Sequence, residues 1–521
     1  MTEPARPPDI LSLHAKLQPQ KLAVIHDSPD GKLLRWTFAE LEAQANKLAN
    51  GLAALGLSRG EKLVWCGQNS PGIVRVIHAA RKLGAVAVPL NYRLSPEEAQ
   101  YVVDNSDAVV VYVDAEYAPL FAKIRGELNK VREIVVFDGP PPAGMRDGDA
   151  LLEVAAATEP VIRGAAEAAG TMIYTSGTTG KPKGAVRGAA PVAQSAALLQ
   201  LVGYVPDDVY LTTGPLYHSG PGGFMAVAHG LGNTVVLQKK FDAEDWLRLV
   251  EKYRVTTTFS APTPVRLVCN LPAATKAKYD KSSMKRFIAN AAPWSFALKQ
   301  MYLADFPGDS LFEIYGSTEL GVNTVLRPED QLRKPGSCGK PAPLVEIKLF
   351  DDEGREVTQP RVPGELAVKS PGVFDAYHKA KEKYDEDRRG EYHTVGDVAY
   401  FDEEGYYYIC DRKKDMIISG GVNIYPAEIE AVLDAHPKVL DVAVIGIPNE
   451  EWGESVHAIV VCLPDQQLSE QEMLAYGREH LAGYKIPRSV SFAEEIPRNA
   501  SGKILKKVLR EPFWKGRETR V

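Results

Sequence analysis

Thr171–Gly184 reads TMIYTSGTTGKPKG. Its first part, Thr171 to Tyr174, is short, apolar and β-prone. Ser176, Gly177, Thr178, Thr179 and Gly180 then run into Lys181 and Lys183, so the stretch predicts a strand feeding a flexible loop. Such a loop suits polyphosphate: glycines let backbone N–H groups turn toward an anion, hydroxyls add neutral donors and lysines bring positive charge. It is not a Walker A loop, because Thr175 stands where that motif's first glycine belongs and Pro182 follows Lys181. A solvated Ser/Gly linker is the competing reading of the loop taken alone.

The flanking chain has the texture of α/β layers. Thr37 and Glu40 form a capping box ahead of LEAQANKLANGLAALGL, whose leucines and alanines recur at helical spacing and stop at Gly56. LVWCGQNS, a helix-like VRVIHAARKLG, AVAVPLN and VVVYV at Val109 to Val113 follow, and strand–helix–strand alternation argues for parallel α/β structure. The pattern returns after the glycine-rich loop, with TVVLQ at Thr234 to Gln238, a charged helix from Ala243 to Tyr253 and TTTFSAP at Thr256 to Pro262, which predicts a second layer. From Gly336 short strands and turns predict a small β subdomain, followed from the charged run Asp411 to Asp415 by a mixed α/β tail large enough to be an independent unit.

The chain has 521 residues, 45% hydrophobic and 25% charged, with a net charge of −6, which is ordinary globular composition and long enough for more than one domain. Interspersed signs with a slight acidic excess give no field for nucleic acid, so no nucleic-acid partner is expected. MTEPARPPDI lacks the apolar core of a signal peptide, and no segment has the ~18 uninterrupted apolar residues of a membrane span, so the cytoplasm is the expected compartment. Five scattered cysteines suggest neither a disulfide framework nor a CxxC zinc site.

Further motifs are dispersed in a fixed order: YGSTE at Tyr315 to Glu319, Gly396-Asp397, DRKKDMIISGGVNIYPAEIE at Asp411 to Glu430, and PRNASGKILKK at Pro497 to Lys507. Together with Thr175 to Gly184 they resemble the acyl-adenylate-forming superfamily of acyl-CoA synthetases, adenylation domains and firefly luciferases. The resemblance runs from about Trp36 to the C-terminus. It implies an α/β fold with a large N-terminal domain (1–411) of two stacked α/β subdomains plus a small β-barrel-like subdomain at about 336–411. A small mobile α+β C-terminal domain (412–521) would hinge near Lys414.

The resemblance also implies a chemistry: a carboxylate attacks the α-phosphorus of ATP, pyrophosphate leaves, and the acyl-AMP passes its acyl group to the thiol of CoA. Splitting a hard substitution into two easier ones is the gain. Thr175, Ser176, Gly177, Thr178, Thr179, Gly180 and Lys183 would cradle the phosphates. Glu319 would ligate Mg²⁺, a hard oxygen donor suiting that ion. Thr318 would bond the α-phosphate, Tyr315 would stack on the adenine with Gly316 beside it in the nucleotide site, and Asn290, Ala291, Ala292 and Pro293 would form the loop that flanks the adenine. Asp397 would accept from the two ribose hydroxyls, with Arg412 beside the sugar. Val395 stands before Gly396-Asp397 where threonine is commoner in the superfamily. Lys503 would carry adenylation as an ammonium beside the transition-state charge. In the second step Gly420 and Gly421 would let a pantetheine arm pass, His218 would stand at the mouth of the thiol channel, and Trp452 with the GYKIPR loop at Gly483 to Arg488 would meet the CoA nucleotide.

The implied acyl pocket, around Tyr217 to Phe224, Ala289 to Ala292 and Gly316 to Val322, carries small or apolar residues and nothing placed to hold an α-amine. A non-amino carboxylic acid (fatty, aromatic or sterol-type) is therefore expected, and SGPGGF is read as leaving space for it. The alternative is a ligase that loads a carrier protein instead of CoA. The partners expected are the acid, ATP and CoA, with a homodimer as the assembly.

Overall fold

The computed structural model describes residues 9–162, 170–175, 181–188, 192–292, 294–498 and 503–515. It divides into two compact units, the first comprising Met1–Ser260, Asn270–Ile288 and Pro371–Glu386, the second Ala261–Cys269, Ala289–Ser370 and Asp387–Val521.

The first unit is built on two sheets. In one, strands Gly170–Thr175, Val86–Leu90, Lys62–Cys66, Ala108–Asp114 and Glu133–Phe137 lie side by side and parallel. Leu63, Val64, Trp65 and Cys66 are all buried, so both faces of that strand are covered and its sequence is a continuous apolar run rather than an alternation. Lys183–Arg187 returns antiparallel to Gly170–Thr175, with Thr175 opposite Lys183, so the two ends of the glycine-rich loop are the arms of a β-hairpin. In the other sheet Leu22–Asp27, Thr234–Leu237, Val209–Thr212 and Thr257–Ser260 run parallel, with Leu33–Thr37 antiparallel to Leu22–Asp27. Helix Phe38–Ala54 carries the expected capping box, both arms made, and helix Ala243–Tyr253 starts on an Asp242 cap. Each such cap contributes on the order of 1 kcal/mol.

In the second unit, Leu311–Ser317 and Gly321–Leu326 form an antiparallel hairpin. Glu346–Phe350, Gly364–Lys369, Tyr392–Phe401 and Tyr407–Arg412 make the small antiparallel sheet expected from Gly336 onward. Beyond it Ile417–Ser419, Val422–Ile424, Val439–Asn449, Gly453–Cys462 and Ser489–Phe492 form a sheet whose buried valines and isoleucines pack with Ile429, Leu433 and Met473 of helices Pro426–Leu433 and Glu470–His480. Helix Lys506–Trp514 follows. Among the described residues no helix is long and apolar enough to cross a membrane.

Candidate functional site

The hairpin Leu311–Gly321 carries YGSTE. A register shift falls between Tyr315 and Gly316, where an added Cβ would stand 2.2 Å from the Gly321 carbonyl oxygen, so only glycine fits this bulge. Tyr315 and Gly316 thus sit on the strand, while Thr318 and the buried Glu319 occupy the turn.

The Tyr315 hydroxyl donates to Asp397 Oδ2 at 2.6 Å. Asp397 and Arg412 are direct cross-strand partners, and Arg412 Nε lies 3.3 Å from Asp397 Oδ1. Each carboxylate oxygen keeps a further lone pair, which is what two neighbouring ribose hydroxyls require. Burial and the Asp397 carboxylate push the Tyr315 phenol well up, so it stays a donor. Burial pulls Arg412 down, but Asp397 and Tyr315 more than offset it and Arg412 stays above its usual value.

Lys503 comes to the same place. Burial and the Arg412 guanidinium lower its pKa while Asp397 and Glu319 raise it, with Lys414 adding to the lowering. Burial likewise lowers Lys414, with Asp415 and Asp397 opposing and Arg412 and Arg510 assisting. The second unit therefore gathers Tyr315, Glu319, Asp397, Arg412, Lys414 and Lys503 into one electrostatic neighbourhood, although they span the sequence from 315 to 503.

Among the described residues no three His, Cys, Asp or Glu side chains form a metal cluster. Mg²⁺ takes one or two carboxylates and completes its shell with water and substrate phosphate, and the buried Glu319 is a hard oxygen donor of that kind.

Beside this neighbourhood the Asn290 side chain donates to the Ile314 carbonyl and accepts from the Ala291 N–H. The clamp holds Ala291 in the left-handed region, φ +74°. That conformation is strained for alanine by ~1–2 kcal/mol. Ala291→Gly is expected to raise the urea midpoint, with a gain of up to about 1 kcal/mol after the greater unfolded-state freedom of glycine is subtracted, and Ala291→Val to lower it. A midpoint unchanged in both would show that the turn holds no strain.

Gly420 and Gly421, φ +58° and +77°, form the two-residue turn between Ile417–Ser419 and Val422–Ile424. A Cβ on Gly420 would stand 2.5 Å from the indole of Trp452, a residue 44% exposed, whereas Gly421 faces open space. Tyr484 of the GYKIPR loop is exposed, but Lys485 pairs with Glu428 at 2.5 Å.

In the first unit Thr175 and Lys183 hold the mouth of the glycine-rich hairpin, and Lys181 lies 4.8 Å over the Tyr101 ring. Ser176, Gly177, Thr178, Thr179 and Gly180 lie outside the described residues, as do Pro293, Ser501 and Gly502. His218 is the N-cap residue of helix Ser219–Gly230, its ring 4.3 Å from that of Tyr217. The SGPGGF run, read as space for substrate, is the first half of this helix. A Cβ on Gly220 would meet the Phe259 ring at 2.3 Å and one on Gly222 the Leu216 carbonyl oxygen at 2.6 Å, so close packing requires both, and only Gly223 is open.

Two positions escaped the sequence reading. Lys506 pairs with Glu430 at 2.9 Å and Asp411 at 3.4 Å, and Arg510 with Asp415 at 2.9 Å. The acids of the 411–415 charge run are thus held by two cations one helical turn apart, three and seven residues beyond Lys503. The matching spacing of four in each pair was the available signal.

The family model of the AMP-binding enzymes matches residues 11–378, and that of the AMP-binding enzyme C-terminal domain matches 428–503. The chain is 35% identical over 506 residues to a long-chain-fatty-acid–CoA ligase of Mycobacterium tuberculosis, covering 97% of this chain and 98% of that protein. It is 35% identical over 503 residues to a feruloyl-CoA synthase of Amycolatopsis sp., covering 96% and 97%. The structure of o-succinylbenzoate CoA synthetase from Bacillus subtilis with its acyl-adenylate intermediate matches with a TM-score of 0.82, 30% identity and coverage of 96% and 98%.

Proposed function

The chain belongs to the AMP-binding enzyme family, in the acyl-CoA synthetase branch of the adenylate-forming superfamily, and from that membership we propose that it converts a non-amino carboxylic acid, fatty or aromatic, into its CoA thioester through acyl-AMP. The observation that carries the proposal is the gathering of Lys503, Asp397, Arg412, Tyr315 and Glu319 in one neighbourhood.

In the first step an oxygen of the substrate carboxylate bonds to the α-phosphorus of ATP and pyrophosphate leaves. Asp397 and Arg412 hold the ribose, and Tyr315 orients Asp397 through its hydroxyl. The Lys503 ammonium lies against carboxylate and α-phosphate oxygens, where its charge offsets that of the transition state and no proton transfer is required. Mg²⁺ held by Glu319 would neutralise phosphate charge. We assign the β- and γ-phosphates to the Thr175–Lys183 loop and the α-phosphate to Thr318. In the second step the thiol of CoA attacks the acyl carbonyl and AMP leaves. Here the C-terminal segment turns about Lys414, withdrawing Lys503 and presenting Gly420, Gly421 and Trp452 to the pantetheine and nucleotide of CoA, with His218 at the channel mouth.

Incubation with ATP, Mg²⁺ and a panel of fatty, aromatic and sterol acids, following pyrophosphate release and thioester with and without CoA, tests this. Sustained turnover only with CoA and one preferred acid class is expected. Pyrophosphate release without CoA thioester would move the assignment to a ligase serving a carrier protein.

A further inference from the structure

At the carboxyl end of the first unit's parallel sheet lies a cavity of about 1000 Å³ that the chemistry above does not use. Its position follows from the connections. Strand Lys62–Cys66 is flanked by Val86–Leu90 on one side and Ala108–Asp114 on the other, so the chain leaves it in one direction and returns across it. Open parallel sheets present a crevice outside the strand ends at such a reversal. Asp114 ends its strand, Asp138 directly follows Glu133–Phe137, and both line the cavity with Arg75 of helix Pro71–Leu83.

Arg75 is 5% exposed. Its Nη2 donates to the Tyr112 hydroxyl at 2.6 Å and its Nη1 to Gln44 Oε1 at 3.3 Å, while Nε has no partner among the described residues. Among the described residues no carboxylate forms an ion pair with it, an unusual state for a buried guanidinium. Asp114 is also buried and accepts the Glu116 N–H at 2.9 Å. Neither Asp114 nor Asp138 forms an ion pair among the described residues, and burial raises the pKa of both carboxyls. Asp138 is nevertheless solvent-exposed, the mark of a group on a concave wall. Arg75 and Lys239 oppose the pKa rise at Asp138, and Lys239 opposes it at Asp114, yet neither cation closes an ion pair with either aspartate among the described residues, so both signs of charge line one cavity.

We propose that this cavity binds a small zwitterion of amino-acid to dipeptide size, its carboxylate received by Arg75 and its ammonium by Asp114 and Asp138. A carboxylate completes the Nε donor with a charge-assisted bond, and an ammonium in contact gives the two aspartates the direct ion pair that Lys239, which acts on both without pairing with either, does not supply. The rest of the lining is also of mixed sign, with Lys32, Lys47 and Lys239 beside Asp30, Asp149 and Glu153, so a ligand carrying one sign of charge meets like charge somewhere on the wall, whereas a zwitterion offers each sign its opposite. The volume is at the upper end for small-molecule pockets and leaves room for a side chain.

Saturation-transfer NMR on the full chain, with the twenty free amino acids, a dipeptide set, inorganic phosphate and spermidine as separate probes, tests the assignment. One group of zwitterions is expected to bind, at least tenfold more weakly to Arg75→Gln and to Asp138→Asn. Because Arg75 is buried, the exposed Asp138→Asn variant keeps the test independent of folding, with circular dichroism as the check. Binding of phosphate alone or spermidine alone, binding unchanged in Asp138→Asn, or no binding by any zwitterion would overturn it. Pyrophosphate release with the preferred acid persists in Asp138→Asn, so the adenylation assignment stands or falls separately.

Discussion

Replacing Lys503 with alanine lowers the rate of acyl-adenylate formation by about 10²–10³-fold, the usual consequence of deleting one preorganised electrostatic contact to a reacting centre. Thioester formation from supplied acyl-AMP stays near the unmodified rate if, as proposed, that step uses an arrangement from which Lys503 has withdrawn. Lys503 is largely removed from water and sits among Arg412, Asp397, Glu319 and Lys414. Its charge is therefore poorly screened, and against the phosphate and carboxylate oxygens that the proposed mechanism brings to it, it acts with more force than a surface lysine would. The same surroundings set a pH limit. Burial, Arg412 and Lys414 hold the ammonium below its ordinary 10.5, so adenylation is lost as pH rises through that lowered value. ATP brings negative charge to the site and restores the protonated form, so the alkaline limb of kcat lies at higher pH than that of kcat/KM. Stopped-flow pyrophosphate release for the first half-reaction and thioester formation from synthetic acyl-AMP for the second separate these effects. Equal loss of both half-reactions in Lys503→Ala would remove the assigned role.

What the sequence revealed depended on how local the physics was. The Thr37–Glu40 capping box spans four residues and both of its bonds are made. The Ala243–Tyr253 helix and the Tyr392–Phe401/Tyr407–Arg412 hairpin likewise follow from periodicity and a short turn. Gathering Tyr315, Asp397, Arg412 and Lys503 could not be read from spacing, since the strands and loops that bring them together are far apart in sequence; their ordered motifs and resemblance supplied that expectation. Glycines misled where their reason was distant. Gly220 and Gly222 look like room for a substrate until the Phe259 ring and the Leu216 carbonyl are seen against them. Arg75 gave no signal either, because a basic residue in an amphipathic helix reads as solvated, and only the fold shows it buried with no carboxylate paired to it among the described residues.

Lys506→Met destabilises the second unit by about 3–5 kcal/mol, the range found when one partner of a buried ion pair is removed. Lys506 is 8% exposed and serves both Glu430, at 2.9 Å, and Asp411, at 3.4 Å. Methionine fills much of the same volume, so the loss is electrostatic rather than a cavity: two carboxylates remain without their cation. The sign of its pH dependence follows from Glu430, which burial drives above its usual pKa even with Lys506 present. A raised folded-state pKa means the folded chain binds more protons than the unfolded one, so this contribution is present below the unfolded value and is lost as pH rises through the folded value. The defect of Lys506→Met is accordingly largest near neutrality and shrinks as acid protonates Glu430. Adding Glu430→Gln removes one stranded charge and returns part of the lost stability at neutral pH. Urea unfolding of the single and double variants across pH measures this, and a double variant no more stable than the single one would refute the electrostatic account. The consequence reaches the chemistry, because Lys506 anchors the chain three residues beyond Lys503. With Asp411 released, adenylation falls more steeply than thioester formation, a split that a general loss of folded protein would not produce.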